Sequence, residues 1–183
     1  MAYKNKVISN PVTGQSIRFL QTSCDTNGEL LEMESTFAPH SIEPLPHYHP
    51  KQHETFTVLH GSIRVRIKDR IYELKAGEQL EIPAKTVQSM WNAAAEKAVV
   101  NWKVEPAYST EYFLETGMAL AAHGKVNAKG LPSILQTALL MRYYNKVFRL
   151  ARPTYLLQKI IFGLLKPISQ LAGYKAVYKE YID

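Results

Sequence analysis

The chain has 183 residues, a hydrophobic share of 46%, an aromatic share of 10% and a formal net charge of +6 at pH 7. This length is ample for one domain with a sizeable core, and this composition excludes wholesale disorder. Cys24 is the only cysteine, which excludes a disulfide framework and a metal cage built from thiolates. The opening MAYKNKVISNPVTG has neither an apolar run nor a small-residue cleavage site. We therefore expect no signal peptide and a cytoplasmic location.

The charge is unevenly distributed along the chain. Residues 1–124 carry 12 Lys and Arg against 14 Asp and Glu, a net charge of −2. Residues 125–183 carry 10 Lys and Arg against 2 Asp and Glu, a net charge of +8. This asymmetry predicts two regions with different surface chemistry, joined near residues 122–131.

Residues 6–106 show the alternation of apolar and polar side chains that is typical of strands. Ile63 and Val65, for example, alternate with Arg64 and Arg66, and Asn27-Gly28 is a hairpin turn signal. Short strands with a turn about every ten residues, and no helix pattern, predict a mainly β sandwich or barrel. The basic residues of the alternating segment are interpreted as a solvated outer face, since no aromatic side chains are interleaved for nucleic-acid stacking.

The segment PHYHPKQHETFTVLHG holds the candidate site. On a strand, His47 and His49 point to the same face because the side-chain period is two. Glu54 begins the next run, and the same rule places His53 on the opposite, solvated face. Two such strands side by side bring two imidazoles and one carboxylate together, which is a two-His, one-carboxylate metal ligand set.

These residues and their spacing resemble the first sequence motif of the cupins. His47 and His49 form its HxH pair, Glu54 follows after four residues, and Gly61 follows after six more. Ser41 stands where the motif usually begins with glycine.

The second cupin motif is present at the expected distance. Gly77, Pro83 and Asn92 occupy its positions, whereas Lys85 replaces the usual second glycine and Gln88 replaces the usual metal-binding histidine. The resemblance implies a double-stranded β-helix, or jelly-roll barrel, over residues 1–108, with its motifs at 41–61 and 77–92.

The resemblance also implies a divalent metal, since many cupins hold iron, manganese, nickel or zinc with three histidines and a glutamate. His47, His49 and Glu54 match three of these ligands, and the Gln88 amide oxygen would be a weak fourth ligand or a hydrogen-bond partner. The alternative is a pocket in which the same side chains bind each other and an organic ligand without metal.

Alternate residues of a strand point to the same face, and this rule suggests which side chains line the rest of the pocket. Apolar walls around a few polar side chains suit a small organic ligand. Each apolar residue of such a wall could equally be an ordinary residue of the hydrophobic core. The predicted pocket residues are Phe56, Val58, Met90, Asn92 and Trp102.

The chain changes character after residue 108. Residues 109–131 are predicted to connect the barrel to the rest of the chain, with a short helix at 111–122. Residues 132–183 are predicted to form a basic, amphipathic helical extension, with helices at 132–151 and 154–165 and a kink or new piece starting at Pro167.

Two interpretations of this extension remain open. It is either a helical cap on the barrel or on a second subunit, or an interfacial membrane anchor formed by residues 132–175. A homodimer follows from the resemblance, since small cupin barrels often pair. Lys159, Lys166 and Pro167 exclude a membrane-spanning helix, and no nucleic-acid motif is present.

Three functional hypotheses follow from these patterns. The first is a metal-dependent enzyme of the dioxygenase or isomerase kind that acts on a small organic molecule. The second is a non-catalytic small-molecule-binding cupin, and the third is a peripheral membrane protein that uses its basic tail. The fold does not choose among them, because one fold hosts many functions.

Overall fold

The computed structural model describes residues 1–178, so the end of the predicted extension, 179–183, lies outside the described residues. Within these residues two antiparallel sheets face each other, and three helices follow the first ten strands in the chain. The strands are β1 (Val7–Asn10), β2 (Gln15–Gln21), β3 (Leu31–Phe37), β4 (His47–Tyr48), β5 (His53–His60), β6 (Ser62–Ile67), β7 (Arg70–Lys75), β8 (Gln79–Ile82), β9 (Gln88–Trp91), β10 (Ala98–Glu105) and β11 (Arg149–Leu150). The helices are α1 (Thr110–Ala122), α2 (Ile134–Tyr143) and α3 (Tyr155–Leu171).

The two sheets form a jelly-roll barrel, so the predicted mainly β fold is confirmed. The larger sheet has the strand order β1-β2-β3-β10-β5-β8, and the smaller has the order β11-β4-β9-β6-β7. Alternate side chains of β5 and β6, including Phe56, Val58, Ile63 and Val65, are buried between the sheets. The alternation seen in the sequence therefore separates the core face from the solvent face, as period-two strands require.

Helix α1 joins the barrel to the extension and lies where the sequence predicts a helix. Its Met118 and Leu114 pack with Phe19 and Met33 of the larger sheet in a second apolar cluster. The Lys6 ammonium also donates a hydrogen bond of 2.7 Å to the buried Glu115 carboxylate of α1. Apolar packing and one charged pair thus hold α1 against the start of the barrel.

The extension differs from its prediction in two places. The helix predicted over 132–151 ends at Tyr143, where the Asn145 amide donates to the Arg142 carbonyl oxygen (2.5 Å) that a continuing helix would use. The chain then forms β11, which pairs with β4 at Arg149–Tyr48 and Leu150–His47. The extension therefore contributes a strand to the smaller sheet, next to the candidate site.

Helix α3 is also longer than predicted, because it continues through Pro167 to Leu171. Proline removes one backbone hydrogen bond from a helix. Packing on both sides of the proline, by buried Phe162 before it and buried Ser169 after it, keeps the helix continuous. Within residues 1–178, no helix is long and apolar enough to cross a membrane.

Candidate functional site

At two motif positions where cupins usually have glycine, the backbone has the positive φ angle that glycine adopts most easily. Gly61 has φ +72°, and a Cβ there would lie 2.6 Å from the Lys97 carbonyl oxygen, so only glycine fits. Lys85, at the usual position of a glycine, still adopts φ +67°. Its N–H donates to the His49 carbonyl oxygen at 2.8 Å and so fixes the chain beside that histidine.

His49 is buried and is oriented by the helical extension. Its Nδ1 lies 2.6 Å from the carbonyl oxygen of Val147. A carbonyl only accepts, so Nδ1 carries the hydrogen, and Nε2 of the neutral ring presents a lone pair. This Nε2 lies 3.2 Å from Glu54 Oε2 and has no hydrogen-bond partner when Glu54 is a carboxylate.

Glu54 is buried at the centre of the site with polar neighbours on both carboxylate oxygens. The Trp102 indole N–H donates to Oε1 at 2.9 Å. The Gln88 amide N–H donates to Oε2, the oxygen that also faces His49. Strands β5, β9 and β10 thus supply one residue each to a compact hydrogen-bonded group.

His47 completes this group, which we call the polar cluster: His47, His49, Glu54, Gln88 and Trp102. Its ring lies 5.3 Å from the His49 ring and stacks on Phe148 at 4.6 Å, measured between centroids. Its Nδ1 donates to the Leu45 carbonyl oxygen at 3.0 Å, so Nε2 is again free to accept. The structure therefore brings together all four residues that the sequence predicts as metal ligands.

Burial determines the protonation states of the polar cluster. Desolvation lowers the pKa of His47 to about 4, assisted by neighbouring His49, and desolvation lowers the pKa of His49 to about 4. Burial raises the pKa of Glu54 to about 7, against the stabilising effects of His47, Trp102 and Gln88. Both histidines are therefore neutral at pH 7, and the 3.2 Å contact between His49 and Glu54 is not an ion pair. A proton on Glu54 would satisfy His49 Nε2.

The arrangement of the polar cluster does not fit a metal ion as it stands. Two imidazole nitrogens and a carboxylate are suitable donors in kind. However, the Gln88 amide directs its N–H, rather than its carbonyl oxygen, at Glu54 Oε2. In the part of the chain that the structure describes, no group of three or more His, Cys, Asp or Glu side chains is arranged to hold a metal.

The residues predicted to line the pocket occupy several environments. Phe56, Val58 and Met90 lie in the core between the sheets. Trp102 belongs to the polar cluster, and its ring stacks on Phe56 at 5.7 Å between centroids. Asn92 is fully buried, and its amide donates to backbone carbonyl oxygens, including that of Ala38 at 3.1 Å. The roles of these residues in binding stay predictions.

A large cavity lies between the mouth of the barrel and the helices, beside the polar cluster. Its volume is about 570 Å³, and its walls come from all three helices, from β11 and from the segment that leads into β4. Most lining side chains are apolar, including Met118 of α1, Leu140 of α2 and Phe162 of α3. Among the described residues, His47 is the only titratable side chain in the wall, and it also belongs to the polar cluster.

The extension supplies two residues of this site, Val147 and Phe148, that the sequence analysis does not assign to it. Phe148 lines the cavity and stacks on His47, and the preceding residue, Val147, binds His49 through its carbonyl oxygen. The apolar pair Val147-Phe148 was visible in the sequence, but its partners lie about 100 residues earlier in the chain.

The architecture defines a class of protein, namely a double-stranded β-helix barrel with a C-terminal helical extension. Residues 33–104 match the family model described as "Cupin domain", and this part of the barrel is a cupin domain. No curated protein matches the chain.

Several solved structures are similar to part of this chain. An RmlC-like cupin from Shewanella frigidimarina NCIMB 400 is 18% identical over 61% of this chain and 94% of its own, with a TM-score of 0.49. KdgF from Halomonas sp. is 15% identical over 54% of this chain and 85% of its own, with a TM-score of 0.47. The EutQ protein of Clostridium difficile is 17% identical over 54% of this chain and 67% of its own, with a TM-score of 0.45.

Proposed function

We propose that this protein binds a small, mainly apolar organic molecule in the cavity between the barrel and the helices. The observation that supports this proposal is the cavity itself. Its volume of about 570 Å³ is in the range of small-molecule sites, and few polar side chains line it. No charged side chain of the described residues lines the cavity, which favours a neutral ligand over an ion.

His47 gives the proposed ligand a polar end. Its Nδ1 is occupied by the Leu45 carbonyl oxygen, and its ring is neutral at pH 7 because its pKa is lowered to about 4. The free Nε2 is therefore an acceptor, and a ligand hydroxyl or amine N–H would pair with it. The favoured ligand is an apolar molecule that carries one hydrogen-bond donor.

Gly117 of α1 provides a specific test, because it lines the cavity and has no side chain. Beyond the helix backbone around it, no heavy atom lies within 4 Å of a Cβ placed there. The Gly117→Phe variant should fill the cavity without displacing its walls, whereas the matched Gly117→Ala variant should leave it open.

The measurement is fluorescence titration with N-phenyl-1-naphthylamine, a neutral apolar probe, together with mass spectrometry of molecules that co-purify with each variant. We expect binding of one probe per chain in wild type and Gly117→Ala, and a loss of more than about tenfold in affinity in Gly117→Phe. Equal binding by all three proteins would contradict the proposal.

The metal-dependent enzyme is a second candidate, favoured by one observation. The buried His49 Nε2 lacks a hydrogen-bond partner and faces Glu54 Oε2, and these two atoms are suitable metal donors in kind. The Gln88 amide would have to turn its carbonyl oxygen toward them for a metal to bind. Metal analysis of protein purified without a metal-affinity tag tests this candidate. One metal per chain that is lost in both His47→Ala and Glu54→Ala would support it, and metal-free protein after incubation with iron, manganese, nickel and zinc would exclude it.

A further inference from the structure

Helix α3 exposes a continuous apolar surface, which we call the apolar face. Leu156, Ile160 and Leu164 are 69%, 53% and 70% exposed. At about 100° per residue, the exposed apolar side chains fall within roughly a third of the helix circumference. The members of the apolar face are Leu156, Leu157, Ile160, Leu164, Ile168 and Leu171.

The opposite side of α3 packs against α2 in the core of the extension. Gln158, Phe162 and Ser169 are buried, and Phe162 packs with Met141 of α2 in the core of the extension. The Gln158 amide donates to the carbonyl oxygens of Leu150 and Pro153, which ties the helix to the chain before it. The apolar face is therefore not an unfinished side of the core, and it points away from the protein.

The charged residues of the segment that carries the apolar face are all basic. Residues 132–178 contain seven Lys and Arg residues and no Asp or Glu. Lys159 and Lys166 lie on the flank of α3 between the buried side and the apolar face, and both are exposed. No ion pair of the described residues involves a cation of this segment, so its positive charge is not neutralised within residues 1–178.

Three of these cations surround one small cleft beside α3. Arg142, Arg149 and Lys159 line this cleft of about 110 Å³, together with the aromatic ring of Tyr155. The Arg149 guanidinium lies 3.6 Å above the centroid of that ring, and its Nε donates to the Asn145 carbonyl oxygen at 2.9 Å. The cleft is thus a fixed cationic pocket of the size of one anionic group, and it lies on the buried side of α3, where Gln158 and Phe162 also line it.

We propose that α3 docks on the surface of an anionic lipid bilayer, with the apolar face in the acyl boundary and the cationic side chains among the headgroups. An apolar helix face flanked by Lys and Arg is the arrangement that binds such surfaces, and each cation adds to the attraction. The length of α3, 17 residues, and its charged flank suit a helix that lies in the interface rather than one that spans it.

Charge complementarity favours the bilayer over a second copy of this chain. A twofold contact centred on α3 would place the same surface of each copy against the other. Lys159, Lys166 and Arg142 would then approach their own counterparts, and residues 132–178 offer no carboxylate to pair with them. An anionic bilayer instead presents the opposite charge to the whole segment.

The test is co-sedimentation of the full chain with vesicles of phosphatidylcholine and phosphatidylserine, and with vesicles of phosphatidylcholine alone. The Leu156→Glu/Leu164→Glu variant places two carboxylates in the apolar face at exposed positions, so the core is unaffected. The matched control, Leu59→Glu/Ile71→Glu, makes the same change at two barrel side chains that are each 50% exposed.

We expect wild type and the control to bind vesicles that contain phosphatidylserine, and binding to weaken as salt is added. The α3 variant should lose more than about tenfold of this binding. Failure of wild type to sediment with either vesicle would overturn the proposal. So would a stable dimer in solution that the α3 variant converts to a monomer, because a second copy would then cover the apolar face.

Discussion

In the barrel, Ile63 and Val65 point inward while Arg64 and Arg66 point outward, and Arg66 pairs with Glu43 at 2.7 Å. In the extension, α3 turns leucines outward, and its neighbouring cations have no carboxylate partner among residues 1–178. This strand of the barrel thus buries its apolar side chains, and its Arg66 is paired with a carboxylate of the same chain, as on a surface that meets water. The extension leaves both kinds of group unsatisfied, which is typical of a surface that meets something else.

The barrel and the extension are parts of one folding unit only if a change in the core of one also destabilises the other. Tyr144 is fully buried in the extension, and Phe56 is buried in the barrel. Tyr144→Ala and Phe56→Ala should each lower the free energy of unfolding by about 3–5 kcal/mol. Because β11 pairs with β4, each variant should shift one common transition in urea, followed by circular dichroism and by Trp fluorescence.

The neighbouring Tyr143 supplies a matched control for this experiment. It is 60% exposed, so Tyr143→Ala should change the free energy of unfolding by no more than about 1 kcal/mol. Two separate transitions in Tyr144→Ala, with the barrel transition unchanged, would show that the extension folds by itself.

The pH dependence of stability distinguishes the barrel from the extension, since the buried carboxyl group of Glu54 lies in the barrel. The folded pKa of Glu54, about 7, lies above its ordinary value of 4.5. The proton on Glu54 therefore stabilises the folded state at low pH, and this stabilisation is lost as the pH rises from 4.5 through 7. At 1.36 kcal/mol per pKa unit, the loss is about 3 kcal/mol.

Glu54→Gln removes this titration and keeps a polar side chain of similar size. The unfolding free energy of the variant minus that of wild type should increase by about 3 kcal/mol between pH 4.5 and pH 7.5. Urea unfolding at several pH values, with a chelator present, measures the difference. The pKa values of His47 and His49 are lowered, so their titration increases stability as the pH rises. This happens in wild type and in the variant alike, and it therefore largely cancels in the difference between their unfolding free energies. A difference that is constant with pH would show that Glu54 titrates normally.

Gly117 lies in α1, the helix that joins the barrel to the extension, and a change there should alter the free energy of unfolding only slightly. Alanine is preferred over glycine inside a helix, and the space around Gly117 accepts a methyl group. Gly117→Ala should therefore raise the free energy of unfolding by about 0.5–1 kcal/mol, measured by urea unfolding. A loss of stability would mean that the wall of the cavity is closer to α1 than the structure shows.

Much of the barrel was predictable because its signals are local. The alternation around Ile63 and Val65 determines which side of β6 is buried, and it needs no knowledge of the partner strands. The spacing of His47, His49 and Glu54 similarly indicates a shared face. The sequence therefore predicts that these side chains lie together. That they hold a metal remains a prediction.

The cavity was not predictable, because it depends on pairing across most of the chain. Strand β11 has only two residues, Arg149 and Leu150, too few to produce a recognisable alternation. The basic and apolar periodicity near Arg142 continues beyond Tyr143, so it predicts a longer helix than the structure contains. The side-chain amide of Asn145 ends that helix, and such a local bond competes with helical pairing without altering the periodicity.

The hydrogen bond between His49 and Val147 joins residues 98 positions apart, and this separation has a consequence for biosynthesis. A ribosome releases the barrel strands long before Val147 emerges, and N-terminal regions generally fold first. The newly made barrel would then hold His49 without the carbonyl oxygen that selects its tautomer, and without Phe148 beside His47. The proposed ligand would then be captured only after residues 147–150 have emerged and reached the mouth of the barrel.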